Sequence, residues 1–260
     1  MRTLEGRHAL VTGGGSGIGA AIARALAGAG AAVTVAGRQK ERLAQVAGGL
    51  KNCFPVAADV TRASDCESMV FAARQAHGPL DIIVANAGAA ESAPFDRIDR
   101  GHWQRMLDVN LTGAFLTVQA GLADLTREDA GQGLRRIVFV ASTAGLKGYP
   151  YVAAYCAAKH GVIGLTRALA LEVARTGITV NAVCPGYTET SIVDGAIESI
   201  VERTGRSQAD ARQVLLRRNP QRRLVSPDEV AATVAWLCLP ESRSINGQAI
   251  SLSGGEVMTG

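Results

Sequence analysis

The sequence predicts an α/β fold, a seven-stranded, doubly wound parallel sheet with helices on both faces, and three observations predict it. Short apolar runs alternate with longer helical patterns from one end of the chain to the other, which implies parallel strands joined by crossover helices. The strand-like runs are apolar on successive residues rather than on alternate ones, as expected for strands covered on both sides. The composition, 47% apolar with 30 glycines and only 4% aromatic residues, suits Ala/Val/Gly-rich helices packed closely on a sheet.

Taken in order, the apolar runs place strands at residues 8–12, 32–36, 54–57, 80–85, 137–141, 178–183 and 248–252. Helical patterns fill residues 17–28, 40–50, 63–76, 102–125, 152–174 and 227–239. Only residues 194–219 break the rhythm, as an added pair of short amphipathic helices interrupted around Thr204-Gly205-Arg206-Ser207. An insertion that follows the carboxyl edge of a sheet is a natural lid over a ligand, so residues 190–225 are expected to cover a site. At 260 residues the chain fits one large domain spanning 1–260, and no repeat, low-complexity tract or linker suggests a second.

Bulk chemistry narrows the function. The net charge of +4 is carried mainly by arginine, densest at Arg135-Arg136 and at Arg217-Arg218 with Arg222-Arg223. Solvated helix ends explain most of it; the phosphates of a substrate carrier are the other use for such clusters. No aromatic-rich strand or recognition helix accompanies them, so no nucleic-acid partner is expected. The five cysteines are odd in number and contain no C-x-x-C pair, and the four histidines do not cluster, which points to reduced core thiols and no metal site. The first strand begins near residue 8, leaving no room for a signal peptide, and no uncharged run approaches the ~20 residues of a membrane span. The expected location is the cytoplasm, with no membrane partner.

The chemistry-bearing residues begin at the first strand's carboxyl end, with the turn Thr12-Gly13-Gly14-Gly15-Ser16-Gly17-Ile18-Gly19. Glycines there permit a tight turn and close approach of a diphosphate to the N–H groups of a helix N-terminus. In a strand-helix-strand unit this favours nucleotide binding over an ordinary turn and makes the sheet Rossmann-like. Further on, Tyr155 and Lys159 stand four apart on a helix and share a face. A cation beside a phenol favours phenolate, so Tyr155 becomes able to exchange a proton with a carbonyl or alcohol oxygen. A lone Tyr-x-x-x-Lys is more often an amphipathic face with a snorkelling lysine; the glycine turn changes that balance.

The spacing Thr12-Gly13-x-x-x-Gly17-x-Gly19 resembles the short-chain dehydrogenase/reductase family. The likeness continues with Asp59-Val60, Asn86-Ala87-Gly88, Asn110, Ser142, Tyr155-x-x-x-Lys159, and Pro185-Gly186 with Thr190. It implies an NAD(P)-dependent enzyme interconverting a ketone and a secondary alcohol. Tyr155 would transfer the proton, Lys159 would lower its pKa and bond the nicotinamide ribose, Ser142 would donate to the carbonyl oxygen, and Asn110 would hold a relay water. Gly13, Gly15, Ser16, Gly17, Ile18 and Gly19 with Thr12 would cradle the cofactor. Asp59 and Val60 would meet the adenine, Asn86, Ala87 and Gly88 the adenosine side, and Pro185, Gly186, Thr188 and Thr190 the nicotinamide amide. Two residues depart from the pattern: Ala85 where many members have asparagine, and Ser253 where aspartate is common. The resemblance also implies a homotetramer, and residues 152–174 are apolar around enough of the helix to pack on both sheet and partner.

An NAD site usually has Asp or Glu at the end of the second strand, about 20 residues past the glycine turn. Here that place reads Ala36-Gly37-Arg38. With a guanidinium to pair with a 2′-phosphate, NADP(H) is favoured and NAD(H) stays possible. Residues 142–183 and 190–225 are similar both to bacterial 3-hydroxybutyrate dehydrogenases and to 3-oxoacyl or polyketide ketoreductases. Where the former carry polar or cationic residues for a free acid, this chain has Ala90, Ala144 and Val152. Burying an unpartnered carboxylate there is costly, whereas a 3-oxoacyl/3-hydroxyacyl thioester on coenzyme A or an acyl carrier suits a wall of Ala90, Ala144, Val152 and Tyr187 around Ser142 and Tyr155. Lys147, one turn away, is the cation that would let an acid in. A free 3-hydroxy acid, another secondary alcohol, or a non-catalytic nucleotide-binding regulator are the alternatives.

Overall fold

A computed structural model of the protein describes residues 4–127 and 134–258. Seven parallel strands, β1 (His8–Thr12), β2 (Ala32–Gly37), β3 (Cys53–Ala57), β4 (Ile82–Ala85), β5 (Arg135–Val140), β6 (Ile178–Pro185) and β7 (Ala249–Leu252), form one sheet in the order β3-β2-β1-β4-β5-β6-β7. The order reverses between β1 and β4, and the carboxyl ends of those neighbours open the crevice where such sheets bind ligands.

Helices α1 (Gly17–Gly28), α2 (Lys40–Gly48) and α9 (Pro227–Leu237) cover one face; α3 (Ala63–His77), α5 (Gly113–Leu125) and α6 (Ala153–Glu172) cover the other. Between α3 and α5 lies α4 (Arg100–Leu107), and between β6 and α9 lie α7 (Ser191–Thr204) and α8 (Gln208–Leu216). Side chains on a strand alternate between the faces: Ala9 and Val11 join the α1/α2/α9 core while Leu10 joins the other, and Val138 sits opposite Ile137 and Phe139. That alternation explains why the strand segments are apolar at successive positions.

Helix α9 starts where it does because Ser226 caps it, Pro227 occupies its first turn, and Glu229 bonds back to the Ser226 N–H in a capping box. The expected break between α7 and α8 falls at Gly205, whose φ of +66° ends α7 in a left-handed cap. These two helices carry a small core of their own, Val193, Ile197, Ala211, Leu215 and Leu224.

One element differs from expectation. Residues 102–125 are not a single helix: α4 ends at Leu107, and Asp108–Thr112 forms a π-type turn before α5. Asn110 sits in that turn, and its amide donates to the Met106 carbonyl (3.0 Å) and to the Ala89 carbonyl beyond β4 (2.8 Å). The tertiary bond to Ala89 holds the wider turn, an arrangement common at functional sites.

Candidate active site

The glycine turn is shaped by backbone conformations and close approaches that a side chain would block. Gly13 and Gly17 have φ of +65° and +49°. A Cβ on Gly19 would run into the Gly13 carbonyl oxygen, and one on Gly13 would lie 2.8 Å from Asn86 Nδ2. The turn feeds α1, whose first turn carries no acidic residue and whose Ser16 makes no capping hydrogen bond. An uncapped helix N-terminus beside a cradle that only glycine permits fits a diphosphate.

Several residues expected at the cofactor act by shaping this cradle. Thr12 Oγ1 accepts from the N–H groups of Asn86 (3.1 Å) and Ala87 (3.2 Å), while Asn86 Nδ2 donates to the Thr12 carbonyl (2.8 Å). They stitch the turn to the end of β4. The Gly17 Cα faces Thr190, whose Cγ2 would be 3.0 Å from an added Cβ, so the turn abuts the start of α7. Thr188 and Thr190 bond backward to the carbonyls of Gly186 (3.0 Å) and Thr188 (3.3 Å), and the Gly186 N–H donates to Leu252 (3.0 Å), fixing the loop after Pro185.

Asp59 accepts from the Thr61 N–H (3.0 Å) and hydroxyl (2.8 Å). Burial works against its carboxylate, but those bonds and the charges of Arg38 and Arg62 hold it below the ordinary range. Val60 is buried in the core against Gly113, while Ile18, at the start of α1, is half-buried and packs beside the α1/α9 core. Gly15 lies against α2 at Arg42 and Leu43. Arg38 is exposed just past β2, at the edge of the same crevice.

The proton-handling residues converge from four segments. Ser142 follows β5 and caps the turn Thr143–Gly145 by accepting from the Ala144 N–H (3.1 Å). Gly145 in that turn lies so close to α6 that a Cβ would sit 2.6 Å from the Lys159 carbonyl, which brings Ser142 to the helix bearing Tyr155 and Lys159. Ser142 and Tyr155 share a hydrogen bond. Lys159 is 4% exposed; its ammonium donates to the Val140 carbonyl (2.9 Å) and lies 5.7 Å from the Tyr155 ring centre. A Cβ on Gly88 would fall 2.8 Å from Asn110 Oδ1 and 3.6 Å from Lys159 Nζ, so Asn86-Ala87-Gly88 passes between those two side chains. Asn110 Oδ1 accepts from the Ala89 N–H (3.3 Å), and both amide hydrogens meet carbonyls. Its side chain therefore holds the chain beyond β4 first, leaving one acceptor lone pair for a water.

Electrostatics here reverse one expectation. Burial pushes the Tyr155 phenol up to about 12, against the pull of the Ser142 hydrogen bond, and burial also brings Lys159 down to about 8. In this arrangement the Tyr155 pKa is not brought below its ordinary value, because burial outweighs the Ser142 hydrogen bond. Tyr155 is thus protonated at neutral pH.

The proposed substrate wall is assembled unevenly: Ala144 is buried, Val152 and Tyr187 are half-buried, and Ala90 is exposed. Lys147 is not free for an acid; it pairs with Glu256 (3.1 Å), whose side chain is only 4% exposed. Glu256 also accepts from the Tyr149 hydroxyl (2.9 Å), whose oxygen lies 2.9 Å from Thr143 Oγ1 and is placed to accept from it. Sequence reasoning missed Tyr149 and Glu256, which are 107 positions apart and match no motif.

Arg135 and Arg136 do not meet a carrier. They are 4% and 3% exposed at the start of β5, at the sheet edge away from this site. Arg135 donates to the carbonyls of Leu125 and Arg127, and Arg136 to those of Leu237 (3.1 Å) and Leu239 (3.2 Å), so both close helix C-termini. Among the described residues no group of three or more His, Cys, Asp or Glu side chains could hold a metal ion, and no helix is long and apolar enough to cross a membrane.

A phenol kept protonated beside a cleft shaped for a diphosphate defines an oxidoreductase of the nicotinamide-dependent class, acting on CH–OH and C=O groups. The particular family follows from comparison: the family model described as short chain dehydrogenase matches residues 7–199, and the chain belongs to that family. Similar proteins include a D-beta-hydroxybutyrate dehydrogenase of Cupriavidus necator, 37% identical over 98% of this chain and 99% of that protein. A putative ketoacyl reductase of Streptomyces coelicolor is 38% identical over 98% of each chain. Among solved structures, a variant of actinorhodin polyketide ketoreductase with NADPH superposes with a TM-score of 0.91 at 38% identity, covering 96% of this chain and 97% of that one.

Proposed function

We propose that the protein uses NADPH to reduce the 3-oxo group of an acyl thioester, carried on coenzyme A or an acyl carrier, to the 3-hydroxyacyl product. The observation that carries the thioester is the Lys147–Glu256 pair: the cation that would let an acid in is already paired, and the wall of Ala90, Ala144 and Val152 offers a carboxylate no partner. NADPH supplies the hydride for the carbonyl carbon. Arg38, at the end of a second strand that carries no Asp or Glu of its own, favours NADPH over NADH, and the ketoreductase that superposes so closely was solved with NADPH.

The chain's own residues handle the other half of the reaction. Ser142 donates to the 3-oxo oxygen, and Tyr155 passes its proton to that oxygen as negative charge develops there. Lys159 then faces the phenolate left behind. A phenol pushed up to about 12 carries its proton at neutral pH, the state in which it enters reduction. Helices α7 and α8, within the lid of residues 190–225, exclude water from the site. Arg203 on α7 donates to the Ser92 carbonyl (2.5 Å) and Ser199 meets Ser92 (3.2 Å), bonds that support the closed position.

Trp103 on α4, Phe115 on α5, Leu171 on α6 and Trp236 on α9 are exposed, which supports assembly through these helices into a cytoplasmic homotetramer. Sedimentation of a monomer alone would overturn the assembly. For the reaction, nicotinamide absorbance is followed with acetoacetyl-CoA and either NADPH or NADH. Rapid NADPH oxidation that Tyr155→Phe abolishes is the expected result. Turnover of free acetoacetate in preference to the thioester would replace this reading with the hydroxy-acid one, and intact cofactor binding without turnover of any ketone would leave a nucleotide-binding regulator.

A further inference from the structure

The residues around Tyr149 form a second polar group beside the proton-handling site, and its charges do not balance. Among the described residues Glu256 is the only carboxylate in it, and it is taken up by Lys147 and the Tyr149 hydroxyl. Lys147 Nζ lies 4.9 Å from the centre of the Tyr149 ring. Arg218, at the end of α8, places its guanidinium carbon 5.4 Å from the same ring centre. Among the described residues no carboxylate pairs with Arg218. The Tyr149 ring stands edge-on to Tyr187 at 6.5 Å. Tyr187 in turn is coupled to Tyr155 and to Arg218: its phenol is felt at Tyr155, and the Arg218 charge is felt at Tyr187. Tyr149, whose hydroxyl meets Thr143 (2.9 Å) next to Ser142, thus gathers Arg218 and Tyr187 into one cluster beside the proton-handling residues.

A partly buried guanidinium stacked on an aromatic ring keeps its five N–H donors and has its orientation limited by the ring. Seated on a ring whose hydroxyl meets Thr143, next to Ser142, it lies beside the site and is held there by the ring rather than by a carboxylate. We propose that Arg218, held on the Tyr149 ring with Glu256 anchoring that ring, is a specificity residue that binds an anionic group at the far end of the substrate. This rests on the carbonyl-reductase reading and extends it: the wall next to the carbonyl is neutral, and the acid is read at the Tyr149 cluster beside it. Two sources carry that chemistry, the phosphates of a pantetheine carrier and a carboxylate at the end of the acyl chain. The sequence singles out Arg217-Arg218 only as a basic pair; the structure separates them, since Arg217 is exposed and Arg218 is half-buried against Tyr149.

The test uses two substrate pairs with wild type, Arg218→Gln and Arg218→Lys: 5-oxohexanoate against its methyl ester, and acetoacetyl-CoA against the N-acetylcysteamine thioester. In at least one pair, Arg218→Gln is expected to lower the preference for the anionic member in kcat/KM about tenfold, mostly through KM, as loss of a charge-assisted contact does. Arg218→Lys restores part of that preference. The pair that responds identifies the anion as carboxylate or phosphate. Equal losses for anionic and neutral members, or no change in either pair, would overturn the assignment. Titration calorimetry of the same four compounds into the NADP⁺-loaded protein reads the contact without turnover. A protein that reduces none of them but shows the Arg218-dependent binding difference would lose the thioester-reductase reading and keep this one.

Discussion

The two edges of the sheet carry the same kinds of side chain and use them differently. At the amino edge His8, Asp81, Asp124, Arg135 and Arg136 are all buried, and their polar atoms are largely matched. Asp81 accepts from the His8 N–H (3.1 Å) and from Arg127 Nη2 (2.8 Å), and Asp124 accepts from Arg74 (2.9 Å) and the Leu80 N–H (3.0 Å). The His8 ring meets the Gly78 carbonyl (2.8 Å) and the Thr34 hydroxyl (2.9 Å). At the carboxyl edge, Lys159 makes one hydrogen bond with three donors, and Arg218 has an aromatic ring but no carboxylate. Buried polar groups whose capacity is filled hold the fold together; those with capacity left over are where a ligand is read or a proton moved.

The largest test of this contrast removes one group from each edge. Tyr155→Phe deletes the proton donor and keeps the ring, so kcat is expected to fall about 10²- to 10⁴-fold while fluorescence titration shows cofactor affinity within a few-fold of wild type. Asp81→Asn at the opposite edge removes the charge of a buried carboxylate that accepts from the His8 N–H (3.1 Å) and pairs with Arg7 (3.5 Å) and Arg127 (2.8 Å). Chemical denaturation should show a loss of about 3 kcal/mol, with kcat/KM per folded molecule unchanged. A Tyr155→Phe enzyme of normal turnover, or an Asp81→Asn protein of normal stability and low activity, would break the division between the edges.

Strands and cofactor turn were legible in the sequence because their causes are local: apolar residues on both faces of each strand, and glycines where a Cβ would strike Gly13 or Val35. The break between α7 and α8 was legible for the same reason, since Gly205 takes a left-handed φ. The π-type turn at Asn110 was not, because Asp108–Thr112 contains no Gly or Pro and its shape comes from a bond to Ala89. Arg135-Arg136 and Arg217-Arg218 look alike as sequence, and only the sheet tells them apart: the first pair opens a strand beneath two helix ends, while the second ends a helix above the site. Tyr149 and Glu256 meet only through the return of the last residues past Gly186.

pH separates the edges again, with the same sign but in different windows. Lys159 has a folded pKa near 8 against 10.5 unfolded, so the cost of burying its charge is full below pH 8 and is relieved as pH rises above it. Stability from this group rises by about 2–3 kcal/mol between pH 8 and 10, the point at which ionisation of Tyr155 in the unfolded chain begins to oppose it. At the amino edge, burial lowers the His8 and His77 pKa values, so their contribution is complete above 6.5 and is lost as pH falls below it. Denaturation of wild type and Lys159→Met at pH 5.5, 7.5 and 9.5 checks both windows: the variant should lose the alkaline rise and keep the acid loss.

The smallest expected effect lies at Arg38, and it sharpens what unfilled capacity means at a surface. The side chain is exposed, so a contact with a 2′-phosphate is screened by solvent and cannot match a buried pair. Its influence is also shared, because its charge already acts on Asp59 across the crevice. Arg38→Ala should therefore cut the NADPH-over-NADH preference in kcat/KM about tenfold, with the change in KM for NADPH and little change in kcat. Raising ionic strength should shrink the wild-type preference toward that of the variant. A preference unaffected by both changes would move discrimination from Arg38 to the backbone of the glycine turn, whose shape does not depend on any side-chain charge.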